Sequence, residues 1–133
     1  MFIDKSLLDS LTEQAKASPR LRHLYDLRTT PNDTSQRILN ALEPGTIFAI
    51  HKHPLSSTTI IVLRGAIRHF IYNDNGVIID QRDIKACDGV QPLLQLEANS
   101  WHKMECLESG TVIFECKDGK YNPTCDTIFF DNK

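Results

Sequence analysis

The chain has 133 residues, a formal net charge of −2 and a pI near 6.2. That length allows one domain with little room for a second. With 41% apolar and 24% charged residues it can bury a core, which excludes wholesale disorder.

The first segment, MFIDKSLLDSLTEQAKAS, reads as a helix. Leu7, Leu8, Leu11 and Ala15 recur at helical spacing, Ser6 with Asp9 resembles a capping box, and Ser18-Pro19 ends the run. It lacks the basic start and long apolar stretch of a signal peptide, so a cytoplasmic location is expected. Residues 18–33, SPRLRHLYDLRTTPND, are rich in Arg and turn formers and read as an irregular or short helical connector. Residues 1–35 are thus expected to be a helix and connector packed on a barrel formed by residues 36–133, one structural domain overall.

From Gln36 onward the pattern changes to short strands between turn signals. QRILNALE runs into Pro44-Gly45, TIFAIHKH into Pro54, TTIIVLR into Gly65, and AIRHFIY into the hairpin signal Asn73-Asp74-Asn75-Gly76. VIIDQRDI, PLLQLE, WHKMECLE and TVIFECK follow, with Ser109-Gly110 as a further tight turn. About eight short strands with no helix between them predict an all-β closed antiparallel barrel or jelly roll. The tail ends in Phe129 and Phe130, which are expected to pack on the barrel or on a second subunit. Cys87, Cys106, Cys116 and Cys125 form no CxxC pair and no disulfide framework, and Cys106 and Cys116 read as small buried hydrophobes.

The chemically informative segment is Gly45-TIFAI-His51-Lys52-His53. Residues two apart on a strand face the same way, so His51 and His53 can aim both imidazoles at one point inside a barrel. His102, in ANSWHKME, opens another predicted strand. Imidazole is the common nitrogen ligand of Zn, Fe, Cu and Ni, and three on neighbouring strands leave positions open for water or substrate.

This register resembles the cupin superfamily. Its first motif is G-x5-H-x-H-x3–4-E-x6-G, and Gly45, His51, His53 and Gly65 fall on its glycine and histidine positions while Thr58 stands at the glutamate. Of the second motif only His102 survives. Glu97 and Asn99 occupy its Pro and Gly positions and Cys106 its final Asn. The wider layout, from SPRLRHLYDLR through HKHP, VLRGAI and NDNGVI to WHKMECLESGTVIFECKDGKYNP, looks like the WbuC-type cupin fold metalloproteins over nearly the whole chain. That resemblance implies a cupin barrel with a short N-terminal helix. It also implies one divalent transition metal (Zn, Fe, Mn or Ni) on His51, His53 and His102, and a homodimer. The gene-cluster habit of the family implies a small polar, carbohydrate-type ligand in bacterial O-antigen metabolism. With no carboxylate ligand, such a site favours an anionic or sugar-derived molecule. The alternatives are a three-histidine Fe(II) dioxygenase-like enzyme and a non-catalytic metal- or sugar-binding module.

Other residues carry weaker signals. Arg20 and Arg22 precede the barrel and are candidates to grip a substrate carboxylate or phosphate, with Tyr121 a candidate pocket residue. His69, in phase with Ile67 and Ile71, reads as a satisfied barrel residue. Glu115, between Phe114 and Cys116, reads as outward-facing, and Trp101 points opposite to His102. The charge pattern shows no basic face, so no nucleic acid is expected, and no membrane.

Overall fold

The computed structural model describes residues 1–87, 89 and 93–131. Helix α1 spans Lys5–Ala17 and buries Leu11 and Ala15. Its cap is Asp4 rather than Ser6: Asp4 has the extended backbone a cap requires and its carboxylate accepts from the Leu7 N–H at 3.0 Å, whereas Ser6 already lies inside the helix. Ser18 ends the helix by donating its N–H to the Ala15 carbonyl, and Pro19 cannot continue it.

Among the described residues ten strands follow: β1 (Arg22–Asp26), β2 (Ser35–Leu42), β3 (His51–Lys52), β4 (Thr58–Arg64), β5 (Ala66–Tyr72), β6 (Ile78–Lys85), β7 (Leu93–Leu96), β8 (Trp101–Cys106), β9 (Thr111–Asp118) and β10 (Ile128–Phe129). They form two five-stranded antiparallel sheets, ordered β1-β2-β9-β4-β7 and β10-β3-β8-β5-β6. The all-β jelly roll with a short N-terminal helix expected from the sequence is the fold of the chain.

Two local expectations need correction. The Arg-rich connector contains strand β1, which pairs with β2 from Arg22↔Leu42 to Asp26↔Ile38. Tyr25 and Leu27 pack beneath α1, a tertiary contact that overrides the local run of turn formers. In TIFAIHKH, only His51–Lys52 hold a ladder.

Burial is split between two layers. Between the sheets lie Leu42, Ile60, Val62, Ile67, Ile84, Met104, Cys106 and Ile113. Outside the first sheet, Leu11 and Ala15 of α1 cover Leu39, Ala41 and Val112. Each large aliphatic side chain buried this way contributes about 1.5–3 kcal/mol. Arg64 clamps the helix, donating to Asp9 Oδ1 at 2.6 Å and to Thr12 Oγ1 at 2.9 Å.

Gly65 makes the step from β4 into the other sheet with φ +82°, and a Cβ there would sit 2.8 Å from the Thr111 Cα. Only glycine meets both conditions. At the β5–β6 hairpin, Gly76 (φ +78°) lies under the Phe130 ring, which meets Trp101 edge-on with centroids 5.3 Å apart. Phe130 therefore packs on the barrel, while Phe129 is 65% exposed. Trp101 faces outward as expected, donating its indole N–H to Asp74 and lying under the Lys52 ammonium. Among the described residues, no helix is long and apolar enough to cross a membrane.

Candidate metal centre

His51 and His102 are direct cross-strand partners on β3 and β8, and Phe129 of β10 pairs with His51 on its other side. His53, directly after β3, lies two residues beyond His51, which returns its ring to the face of His51. The three rings converge, with centroids 4.3 Å (His51–His102), 5.2 Å (His51–His53) and 5.5 Å (His53–His102) apart. One ring nitrogen from each lies within 4.8 Å of the others.

Each ring sets its Nδ1 against a backbone carbonyl. His51 Nδ1 is 2.8 Å from the Ala49 carbonyl, His102 Nδ1 2.9 Å from the Ser100 carbonyl, and His53 Nδ1 3.0 Å from the Asp126 carbonyl. A carbonyl only accepts, so Nδ1 of His51 and of His102 donates the proton and Nε2 keeps its lone pair. That is the arrangement a metal-ligating imidazole needs. His53 Nδ1 also lies 3.3 Å from Thr127 Oγ1 and 3.5 Å from Lys117 Nζ. Burial, together with the neighbouring imidazoles, pushes His51 below its ordinary value and His102 down to about 3. The His51 and His102 rings are therefore neutral at pH 7 and ready to donate to a cation. The donor set and its outer bonds fit a divalent transition ion.

A cavity of about 220 Å³ opens beside the cluster, with His51, His53 and Thr58 in its wall. Arg20 and Arg22 line it too, so the structure brings these two candidates to the histidines. Tyr121 does not belong there. It sits 44% exposed in the Lys120–Pro123 turn, with the Arg28 guanidinium 5.7 Å from its ring, because Asn122-Pro123 turns the chain along the outer surface.

Thr58, 5% exposed, stands where the first motif carries glutamate. A carboxylate reaches the cavity from elsewhere. Glu115 on β9 lines it, beside Asn40 and Lys117, and burial pushes its carboxyl above the ordinary value. The outward reading of Glu115 is thus wrong, since β9 is the central strand of its sheet and is packed on both faces. Phe114 lies toward the helix cluster and Ile113 between the sheets. With apolar residues on both faces, alternation in TVIFECK carries no sign of which face is inner.

Asp126 also went unnoticed in the sequence. Its carboxylate accepts from Lys117 at 2.9 Å and Gln36 at 3.0 Å, and lies 3.5 Å from His53 Nδ1. Burial pushes it up, but the bonds from His53, Gln36 and Lys117 outweigh that and hold it far below the usual carboxylate range. Its only sequence signal is a lone acid in a turn-rich tail, which no pattern rule selects. His69 is buried and stacked on His102 at 5.5 Å, as its phase implied, but it is not satisfied: its Nε2 has no hydrogen-bond partner among the described residues. Burial brings it down to about 4.

Comparison with known proteins supports the fold. The model of the family described as "Domain of unknown function (DUF6016)" matches residues 3–84. No curated protein matches the sequence. Among solved structures, oxalate decarboxylase from Bacillus subtilis is similar with a TM-score of 0.63 and 19% identity, over 81% of this chain and 27% of that one. KdgF from Halomonas sp. is similar with a TM-score of 0.62 and 12% identity, over 78% of this chain and 84% of that one. Oxalate decarboxylase from Lactobacillus farciminis, in its formate complex, gives 0.59 and 16%, over 81% and 30%. The chain spans about a quarter of the length of the Bacillus enzyme. These likenesses establish the cupin-type barrel as the fold.

Proposed function

The chain belongs to the DUF6016 family, and we propose that it is a metal-binding cupin. In this reading it holds one divalent transition metal on His51, His53 and His102 and binds, and acts on, a small polar carbohydrate-type molecule. The observation that carries the proposal is the convergence of one ring nitrogen from each of the three histidines to within 4.8 Å, with each Nδ1 set against a backbone carbonyl. Mn(II) centres are named for the structurally similar Bacillus oxalate decarboxylase, which supports a divalent ion and leaves its identity open. The bound ion would supply Lewis-acid polarisation of a carbonyl or hydroxyl. The chain's own part is to orient the ligand beside Glu115 and Asn40 and to exclude water by burial. The carbohydrate role, O-antigen metabolism, cytoplasmic residence and a homodimer rest on the sequence resemblance to WbuC-type cupins.

Protein purified without a His tag and analysed for metal content is expected to hold one ion per chain. His102→Ala should lose it while keeping the β-sheet circular dichroism of the parent. No stoichiometric ion after incubation with Mn, Fe, Zn or Ni salts sinks the proposal. A second reading, a three-histidine Fe(II) dioxygenase-like enzyme, draws on Thr58 at the fourth ligand position, and iron content with oxygen uptake separates it from sugar chemistry.

A further inference from the structure

The chain has seven arginines, and two of them differ from the rest. Arg28, Arg37, Arg64, Arg68 and Arg82 each pair with an aspartate at 2.6–3.3 Å. Arg20 and Arg22 have no carboxylate partner among the described residues, and both line the histidine cavity. Arg22 is held by neutral groups. It donates to the Ile47 carbonyl at 2.7 Å and to Thr46 Oγ1 at 3.4 Å, and its guanidinium lies 4.3 Å over the Phe48 ring. Thr46 in turn donates to the Arg20 carbonyl at 2.8 Å, tying the two arginines to one loop. Arg22 is thus fixed in place without being neutralised, and burial and then the charge of Arg20 push its guanidinium below its ordinary value. Lys117, the third cation of the wall, is already neutralised by Asp126.

We propose that Arg20 and Arg22 form an oxyanion clamp, and that the cavity takes a small molecule carrying a carboxylate or phosphate. This deepens, and rests on, the reading of the cavity as a ligand site. Planar guanidinium groups match such oxyanions through paired, charge-assisted hydrogen bonds. Size narrows the class further. At about 220 Å³ the cavity lies below the roughly 300–1,000 Å³ of drug-sized sites. It suits a monosaccharide acid, a sugar phosphate or something smaller.

The test follows the arginine Nε–Hε signals of ¹⁵N-labelled full-length protein, both metal-loaded and chelator-treated. Malonate, galacturonate and inorganic phosphate are titrated, with galactose as the uncharged control. Saturable shifts with at least one oxyanion and none with galactose are expected, and the carboxylate and phosphate arms decide which group the clamp prefers. Arg20→Gln/Arg22→Gln should weaken that binding about 10-fold or more, the equivalent of losing one charge-assisted hydrogen bond. Arg22→Lys, which keeps the charge without the fork, should weaken it less, and Arg68→Gln should leave it unchanged. The clamp is overturned if no oxyanion saturates in either metal state, if galactose binds as well as galacturonate, or if the folded double variant binds like the parent. Metal content read on the same samples keeps the two ideas apart. Clamp failure with metal retained leaves the metal centre standing, and anion binding without stoichiometric metal does the reverse.

Discussion

The barrel interior has a dry end and a polar end, and the same strands build both. On β8 the inward residues run His102, Met104, Cys106. On β9 they run Lys117, Glu115, Ile113, on β4 Thr58, Ile60, Val62, and on β2 Gln36, Ile38, Asn40, Leu42, where Ile38 interrupts the polar run. Strands β4, β8 and β9 therefore each change from hydrogen-bonding to apolar side chains within about two inward positions, or roughly 13 Å at the usual strand rise. The dry end supplies the apolar burial that holds the sheets together. The polar end contributes little of this and concentrates neutral imidazoles, a buried carboxyl and two uncompensated guanidinium groups. Stability and chemistry are thus separated along the barrel axis rather than between domains.

The largest expected effect tests that separation from the dry end. Ile113, fully buried between the sheets, should lose about 2–5 kcal/mol of stability as Ile113→Ala, read from the urea midpoint. Metal content in the still-folded fraction should stay at the parental level. Loss of metal in step with stability would show that the two ends are not separable.

The next effect works from the polar end, through pH, on chelator-treated protein. His69 stays neutral when folded down to about pH 4, while an unfolded histidine takes up its proton near 6.5. Between those values the unfolded state binds more protons, so stability falls as pH drops from 6.5 toward 4. Burial lowers His102 to about 3, which acts in the same direction, whereas Glu115, raised by burial, opposes it. The difference between parent and His69→Leu cancels these shared contributions. The variant should show a shallower fall, by up to about 1.4 kcal/mol per pH unit inside the window. Parallel curves would mean that His69 finds a partner or a proton in the folded state.

Much of the dry end was readable from the chain itself. Alternation in TTIIVLR, AIRHFIY and WHKMECLE placed the strands, and Gly65 marked the step between sheets because no other residue fits against Thr111. The histidines were readable because a two-residue spacing survives any choice of face. What escaped the sequence is carried by the first sheet and the tail. Strand β1 exists because β2 offers it an edge and α1 covers Tyr25. Glu115 is hidden by a strand that is apolar on both faces. Asp126 comes to His53 from 73 residues further along the chain, a closure that no local pattern encodes.

The smallest expected effect concerns that closure. Asp126 meets His53 Nδ1 in two ways, through its backbone carbonyl at 3.0 Å and its carboxylate at 3.5 Å. The nearer acceptor belongs to the main chain, so Asp126→Asn keeps that contact and removes the carboxylate charge from both His53 and Lys117. The loss of metal affinity should then fall at the lower end of the roughly 10–100-fold range for outer partners of a ligating histidine, near 10-fold, in competition with a chelator. A drop toward 100-fold would show that the carboxylate supports the centre beyond the main-chain contact, through His53 Nδ1 or through Lys117. The strand that carries Lys117 and the tail that carries Asp126 would then belong to the metal centre as firmly as β3 and β8.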